Sequence, residues 1–298
     1  MDAAERVAAD ARLRRLELTV LTRLGEGPSG EHAGFAGSGF EPDDARPYVP
    51  GDDIRRIDWL ATARSAETQV RPAVGDSELT CLIVVDGSGS MATGSGRMTK
   101  ADVAAATSAV FGFMAGSNGA RVGGIIARPD RAHWVPPAVG IAPVRRLLRQ
   151  FNQPFLPGRG DLAGALVQAG RLARRKGMII VISDFLDDGP WGRPLLALAK
   201  KHDVVCVVVA DVRDREVPPV GLLRARDPET GEVILVEVDQ KVADAFAEES
   251  RRRDRIRDVA LARSRARVID LDTVRDPVED LLAWTQHEKI LARAGSRR

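Results

Sequence analysis

The sequence predicts an α/β protein: a doubly wound, mainly parallel, Rossmann-like sheet, preceded by an N-terminal helix and a small extended, hairpin-like region. Three observations carry this. The runs Cys81–Val85, Met178–Ile182 and Val204–Val209 are apolar without alternation, the mark of strands covered on both faces. Helix-length segments separate them, and strands alternating with helices build parallel sheets through crossover connections. The first run then ends in Asp86-Gly87-Ser88-Gly89-Ser90, which puts side-chain oxygens at a strand's carboxyl end, where the ligands of such sheets collect.

In chain order, a helix near residues 2–24 gives way to a Gly-rich loop from Gly25 to Gly39, and an extended region covers about 45–77. The alternating core follows as strand 79–85, helix 98–115, strand 120–127, a short strand 132–135, helices 141–151 and 161–175, strand 178–183, helix 191–201 and strand 203–209. Asp227-Pro228-Glu229-Thr230-Gly231 lies between the extended stretches 222–226 and 232–237, and this turn-rich centre reads as a hairpin. A long helix 241–264, a strand 267–271 and a helix 276–291 close the chain. Residues 1–77 thus form an N-terminal region and 78–298 the main α/β domain.

Asp86 offers a carboxylate, and Ser88 and Ser90, two residues apart on an extended loop, can turn their hydroxyls the same way. Hard oxygens of this kind suit Mg²⁺ or Mn²⁺. One carboxylate and two neutral hydroxyls under-neutralise a divalent ion, so an open position is expected to attract a carboxylate from a partner protein. The plain alternative is a Gly/Ser turn between strand and helix.

The motif's position resembles the metal-ion-dependent adhesion site of von Willebrand factor A domains, whose pattern is Asp-x-Ser-x-Ser, then a Thr, then an Asp. The resemblance implies that Asp184, ending the buried run Met178–Asp184, is the last element. In the Gly-rich run from Gly158 to Gly164, Gly160 stands where the Thr belongs. Asp161 beside it either reaches inward, directly or through water, or serves only as N-cap of the following helix. If Gly160 weakens the site by removing an oxygen, Gly160→Thr is expected to tighten metal binding.

A more specific resemblance rests on Arg46-Pro47-Tyr48-Val49-Pro50-Gly51-Asp52-Asp53-Ile54-Arg55-Arg56-Ile57-Asp58-Trp59, then Ala63-Arg64, Val70-Arg71 and the Asp-x-Ser-x-Ser-Met strand. Over about residues 30–240 the chain looks like the bacterial domain of unknown function 58 (DUF58) family, which is similar to von Willebrand factor A domains. The resemblance implies a non-enzymatic partner-binding module working with a MoxR-type AAA+ ATPase on a further client protein. Within the signature, Arg46, Tyr48, Asp52, Asp53, Arg55, Asp58, Trp59 and Arg64 read either as a docking surface or as an ionic brace against the main sheet.

Composition narrows the alternatives. The 298 residues, 44% of them hydrophobic, are enough for a sizeable core. The N-terminus lacks the apolar stretch of a signal peptide, and no run approaches the ~20 apolar residues that cross a bilayer. A cytoplasmic protein without direct membrane insertion is expected. Cys81 and Cys206 sit inside apolar strands and read as reduced core residues; His32, His133, His202 and His287 are dispersed. Only six of the 44 basic residues are Lys, yet the densest Arg run, 251–257, is interleaved with acids and short of aromatics, unlike a nucleic-acid surface. A dinucleotide-binding oxidoreductase fits poorly, because Thr93–Arg97 intrudes between the glycine loop and its helix. A hydrolase finds no G-x-S-x-G elbow; metal-assisted hydrolysis through Asp86 and Asp184 has no evident general base.

Overall fold

The computed structural model describes residues 3–25, 46–49, 54, 57, 59–63, 65, 67–70, 79–187 and 189–295. The chain opens with helix α1 (Ala3–Gly25), then β1 (Arg46–Pro47), the short helix α2 (Trp59–Thr62) and β2 (Gln69–Val70), which pairs antiparallel with β1. The main body follows: β3 (Thr80–Asp86), α3 (Lys100–Ser117), β4 (Arg121–Ala127), β5 (Ala132–Val139), α4 (Ala142–Gln150), α5 (Leu162–Leu172), β6 (Met178–Ser183), α6 (Gly192–Ala199) and β7 (Asp203–Ala210). The hairpin β8 (Gly221–Arg226) and β9 (Val233–Val238), helix α7 (Gln240–Ser264), β10 (Arg267–Asp272) and α8 (Pro277–Gly295) complete it.

The main sheet runs β10-β7-β6-β3-β4-β5 and is parallel except for β5, which joins β4 antiparallel at the edge. The chain winds outward from β3 to one edge, returns to β6 and winds to the other. β3 and β6 therefore flank the point where strand order reverses, the place where the ligands of such sheets collect.

The unbroken apolar strands supply two cores, one per face. Cys81, Ile83 and Val85 of β3, with Ile180 and Ile182 of β6, pack on the side of α1, α3, α4 and α8; Leu82, Val84, Ile179 and Val181 pack on the side of α5, α6 and α7. Leu13 and Val20 of α1 belong to the first of these cores, so the N-terminal helix is built into the main body. Helix α3 is buried from Val103 to Gly116 because its small side chains let α4 come close, and a Cβ on Gly112 would lie 2.7 Å from Val144. Both cysteines are buried and free, and burial pushes each thiol up to about 12.

β5 runs past the expected 132–135 through Pro136 and Pro137. An edge strand tolerates this, since a proline's missing N–H costs nothing on the side with no neighbour. The register slips between Val122 and Gly124, where a Cβ on Gly123 would strike Pro137.

In the N-terminal signature, β1 pairs with β2, the Tyr48 N–H donates to the Thr68 carbonyl at 2.8 Å, and Ile57 bridges to Val70. Trp59 is 71% exposed at the start of α2, so it does not seal a buried seam. Asp52, Asp53, Arg55, Asp58 and Arg64 lie outside the described residues. No helix is long and apolar enough to cross a membrane, among the described residues.

Candidate metal and interaction site

β3 delivers Asp86 to the carboxyl edge of the sheet, and the chain leaves it in an extended Ser88 before a single 3₁₀ turn, Gly89–Ala92. The Asp86 carboxylate is 1% exposed. Its Oδ1 accepts the Ser88 N–H at 2.9 Å and its Oδ2 accepts the Ser183 hydroxyl at 2.7 Å. The Ser88 and Ser90 hydroxyls lie 3.0 Å apart, turned the same way as their spacing predicts. Burial first, and then the charge of Asp184, push the Asp86 carboxyl up to about 6 against the lowering effect of its hydrogen bonds. Among the described residues, the buried Asp86 carboxylate forms no ion pair, Lys100 being held by Asp184 and Asp214.

β6 ends beside β3 and brings Asp184 alongside. The turn is made by Phe185, which takes a positive φ of 53°, a conformation that costs energy for a bulky side chain. Its N–H donates to the Ser183 hydroxyl at 2.8 Å, and its ring packs edge-on to Trp191. Asp184 is not free to face Asp86 alone. Its Oδ2 accepts Lys100 Nζ at 2.7 Å, its Oδ1 accepts the Leu186 N–H at 3.1 Å, and Lys100 reaches Asp214 at 3.0 Å as well.

Lys100 was not singled out by the sequence reading. It lies in the first turn of α3, capped by the Thr99–Asp102 box, and is fully buried although a cation there opposes the helix dipole. Burial alone would depress its ammonium; the carboxylates of Asp184 and Asp214 outweigh that and raise it. A signal existed in the sequence: a Lys opening a helix of small apolar residues, in a chain with only six Lys among its 44 basic residues.

Gly160 packs tightly against the Asp86 strand end, and Asp161 caps a helix. A Cβ on Gly160 would lie 2.7 Å from the Ala127 carbonyl oxygen, 2.9 Å from Asp86 Oδ1 and 3.2 Å from the Ser88 nitrogen. The glycine is there because the loop packs against the Asp86 strand end, so restoring a Thr cannot simply add a ligand. Asp161 caps α5, its Oδ1 accepting the Gly164 N–H at 2.7 Å. Of the two roles open to it, the structure gives it the cap, because the exposed amides of a helix's first turn draw its carboxylate. Among the described residues, no three acidic, His or Cys side chains come together as a metal-binding group.

Asp211 steadies the loop after the 3₁₀ turn. It accepts the Ser95 N–H at 2.7 Å and the Thr273 hydroxyl at 2.5 Å. Burial works against its charge, but these bonds and that from Arg213 prevail and hold the carboxyl at about 2.

Residues 44–256 match the family described as "Protein of unknown function DUF58". The chain is 38% identical over 291 residues to "Uncharacterized protein Rv1480" of Mycobacterium tuberculosis, an alignment covering 96% of this chain and 91% of that one. It is 37% identical over 139 residues to "Uncharacterized protein MAV169" of Mycobacterium avium, covering 46% of this chain and 81% of the relative. Similar solved structures include BatB from Bacteroides thetaiotaomicron, at 16% identity, TM-score 0.44 and coverage of 71% of this chain and 98% of that one. The SpRpn10 VWA domain is another, at 12% identity, TM-score 0.39 and coverage of 69% and 94%. The match spans Asp86, Ser88, Ser90, Lys100 and Asp184 together, and this chain belongs to the DUF58 family.

Proposed function

We propose that the protein is a non-enzymatic interaction module whose strand-end face, centred on Asp86, binds an acidic side chain of a partner through a divalent ion. The observation that carries this reading is the buried Asp86 carboxylate beside the paired Ser88 and Ser90 hydroxyls, with its carboxyl pushed up to about 6. Such a group is relieved by a cation. The donors fit Mg²⁺ or Mn²⁺ through three oxygens, those of Asp86, Ser88 and Ser90; Asp184 supports them from outside, held by Lys100. When bound, the ion would supply an electropositive position open to water or an acid. The residues orient it: Ser183 and the Ser88 amide hold Asp86 by both oxygens, and Asp211 fixes the following loop.

The partner proposed on the family resemblance is a MoxR-type AAA+ ATPase, with a further client protein behind it. Against metal-assisted hydrolysis, the hydrogen-bond partners of Asp86 and Asp184 among the described residues are Ser88, Ser183, Lys100 and Leu186, none of them a His to serve as base. The site reading is tested by calorimetric titration of Mn²⁺ into the wild type and Asp86→Ala. We expect one ion per chain in the wild type and at least tenfold weaker binding in the variant. Equal affinity would remove Asp86 from the site.

A further inference from the structure

The face just described is covered by the chain's own β8–β9 hairpin. Its tip, Asp227-Pro228-Glu229-Thr230-Gly231, lies directly on the Ser88–Ser90 loop, so close that a Cβ on Gly89 would collide with the Pro228 carbonyl oxygen. The contact is made mostly by backbone. The Gly89 N–H donates to the Gly158 carbonyl at 2.9 Å, and the Gly158 N–H donates to the Pro228 carbonyl at 3.2 Å. A salt bridge joins the same two loops, Arg159 Nε to Glu229 Oε2 at 2.6 Å. The tip is internally shaped for this, with Asp227 Oδ1 accepting the Glu229 N–H at 2.8 Å and Gly231 at a φ of +75°.

The rest of the hairpin is lightly held. Among the described residues its two strands pair only with each other, Leu222 and Leu235 are 71% and 67% exposed, and of the two strands only Val238 at the base is buried. An isolated two-stranded hairpin is marginal in water, so the tip contacts and the base do most to keep it in place. Arg159 is 70% exposed, and an ion pair that open to solvent holds weakly. Segments with little buried apolar area and few protected hydrogen bonds open first.

We propose that this face is a receptor for an acidic turn, filled in cis by the hairpin tip, and that the partner binds by replacing the tip with an acidic turn of its own. The proposal rests on the reading of the face as the partner site. It adds the shape of what is recognised: glycine backbone at 89 and 158 for a turn's carbonyl, and Arg159 for the carboxylate of the residue after it. The occupant committed to is a protein turn with Asp or Glu next to its exposed carbonyl, because that is the chemistry the resident tip presents.

The test uses a synthetic peptide of residues 224–235, cyclised through added terminal cysteines and labelled for fluorescence anisotropy. The receptor is the full chain with Pro228-Glu229-Thr230-Gly231 replaced by Asn-Gly, a two-residue hairpin turn that keeps the strand register. The peptide is expected to bind this trimmed variant at least tenfold more tightly than the unaltered chain, and to lose that binding when its Glu229 is changed to Lys. No binding to a trimmed variant whose circular dichroism is intact, or equal binding to both forms, would overturn the proposal. Should trimming unfold the chain, Glu229→Lys in the full-length protein sets two cations against each other at Arg159 and loosens the tip instead; it is expected to raise peptide binding, and unchanged binding would overturn the proposal. Peptide binding to the trimmed variant while no Mn²⁺ binding depends on Asp86 would sink the divalent-ion reading and leave the receptor standing. Mn²⁺ binding that depends on Asp86 while the trimmed variant ignores the peptide would sink this inference alone.

Discussion

Lys100→Met is expected to destabilise the native state by about 3–5 kcal/mol, because it strips the counter-ion from buried carboxylates. The ammonium is 0% exposed and Asp184 2%, and neither burial nor the helix dipole favours a cation at that position; the carboxylates alone hold it. For a chain of this size the loss corresponds to a fall in melting temperature of roughly 10 °C. Denaturant unfolding measures it. The double variant Lys100→Met/Asp184→Asn removes the stranded charge with its partner, so it should cost about 1–3 kcal/mol less than the two singles summed. Strict additivity would mean that the pair does not interact as described. The pH dependence has a definite sign. The Lys100 ammonium is raised in the folded chain, so the stability it contributes is complete below its ordinary value of 10.5 and is lost only as alkaline pH passes its folded value.

Gly160→Thr is expected to cost about 3 kcal/mol of stability and to weaken Mn²⁺ binding. This reverses the expectation drawn from the missing Thr of the adhesion-site pattern. The added Cβ meets the Ala127 carbonyl and Asp86 Oδ1 at under 3 Å, and backbone at a strand end gives way less readily than a flexible side chain. Accommodating it pushes the 158–161 loop off the Asp86 strand end and takes with it the Gly158 contacts to Gly89 and Pro228. Tighter metal binding at unchanged stability would show that the loop yields freely and that Gly160 is indeed only a lost ligand.

What was legible in the sequence was whatever is written locally. Three unbroken apolar runs gave β3, β6 and β7 because a strand buried on both faces has no polar side to show, and for the Asp before α5 the N-cap was one of two roles its position left open. β5 was legible only in part, since its prolines look like a strand's end until its edge position makes their missing N–H harmless. Lys100 was missed because its partners are 84 and 114 residues away, and no local pattern encodes a pairing made by crossover connections. The same holds for the hairpin: Asp227–Gly231 announces a turn, but nothing nearby says that the turn will rest on Gly89. Gly160 was ambiguous for a related reason. A glycine stands equally for a missing ligand and for a close approach, and only the neighbouring strand tells which.

The central claim, that the Asp86 face takes a partner's acid through a divalent ion, is tested most directly by capturing the MoxR-type ATPase on the immobilised full-length chain. Capture is measured with Mg²⁺, with EDTA, and with Asp86→Ala, using circular dichroism to confirm the fold of the variant. Capture that falls at least tenfold under both treatments is the result expected. Capture undiminished by either would contradict the account and place the interface elsewhere, with the exposed Trp59 of the N-terminal signature the first residue to replace.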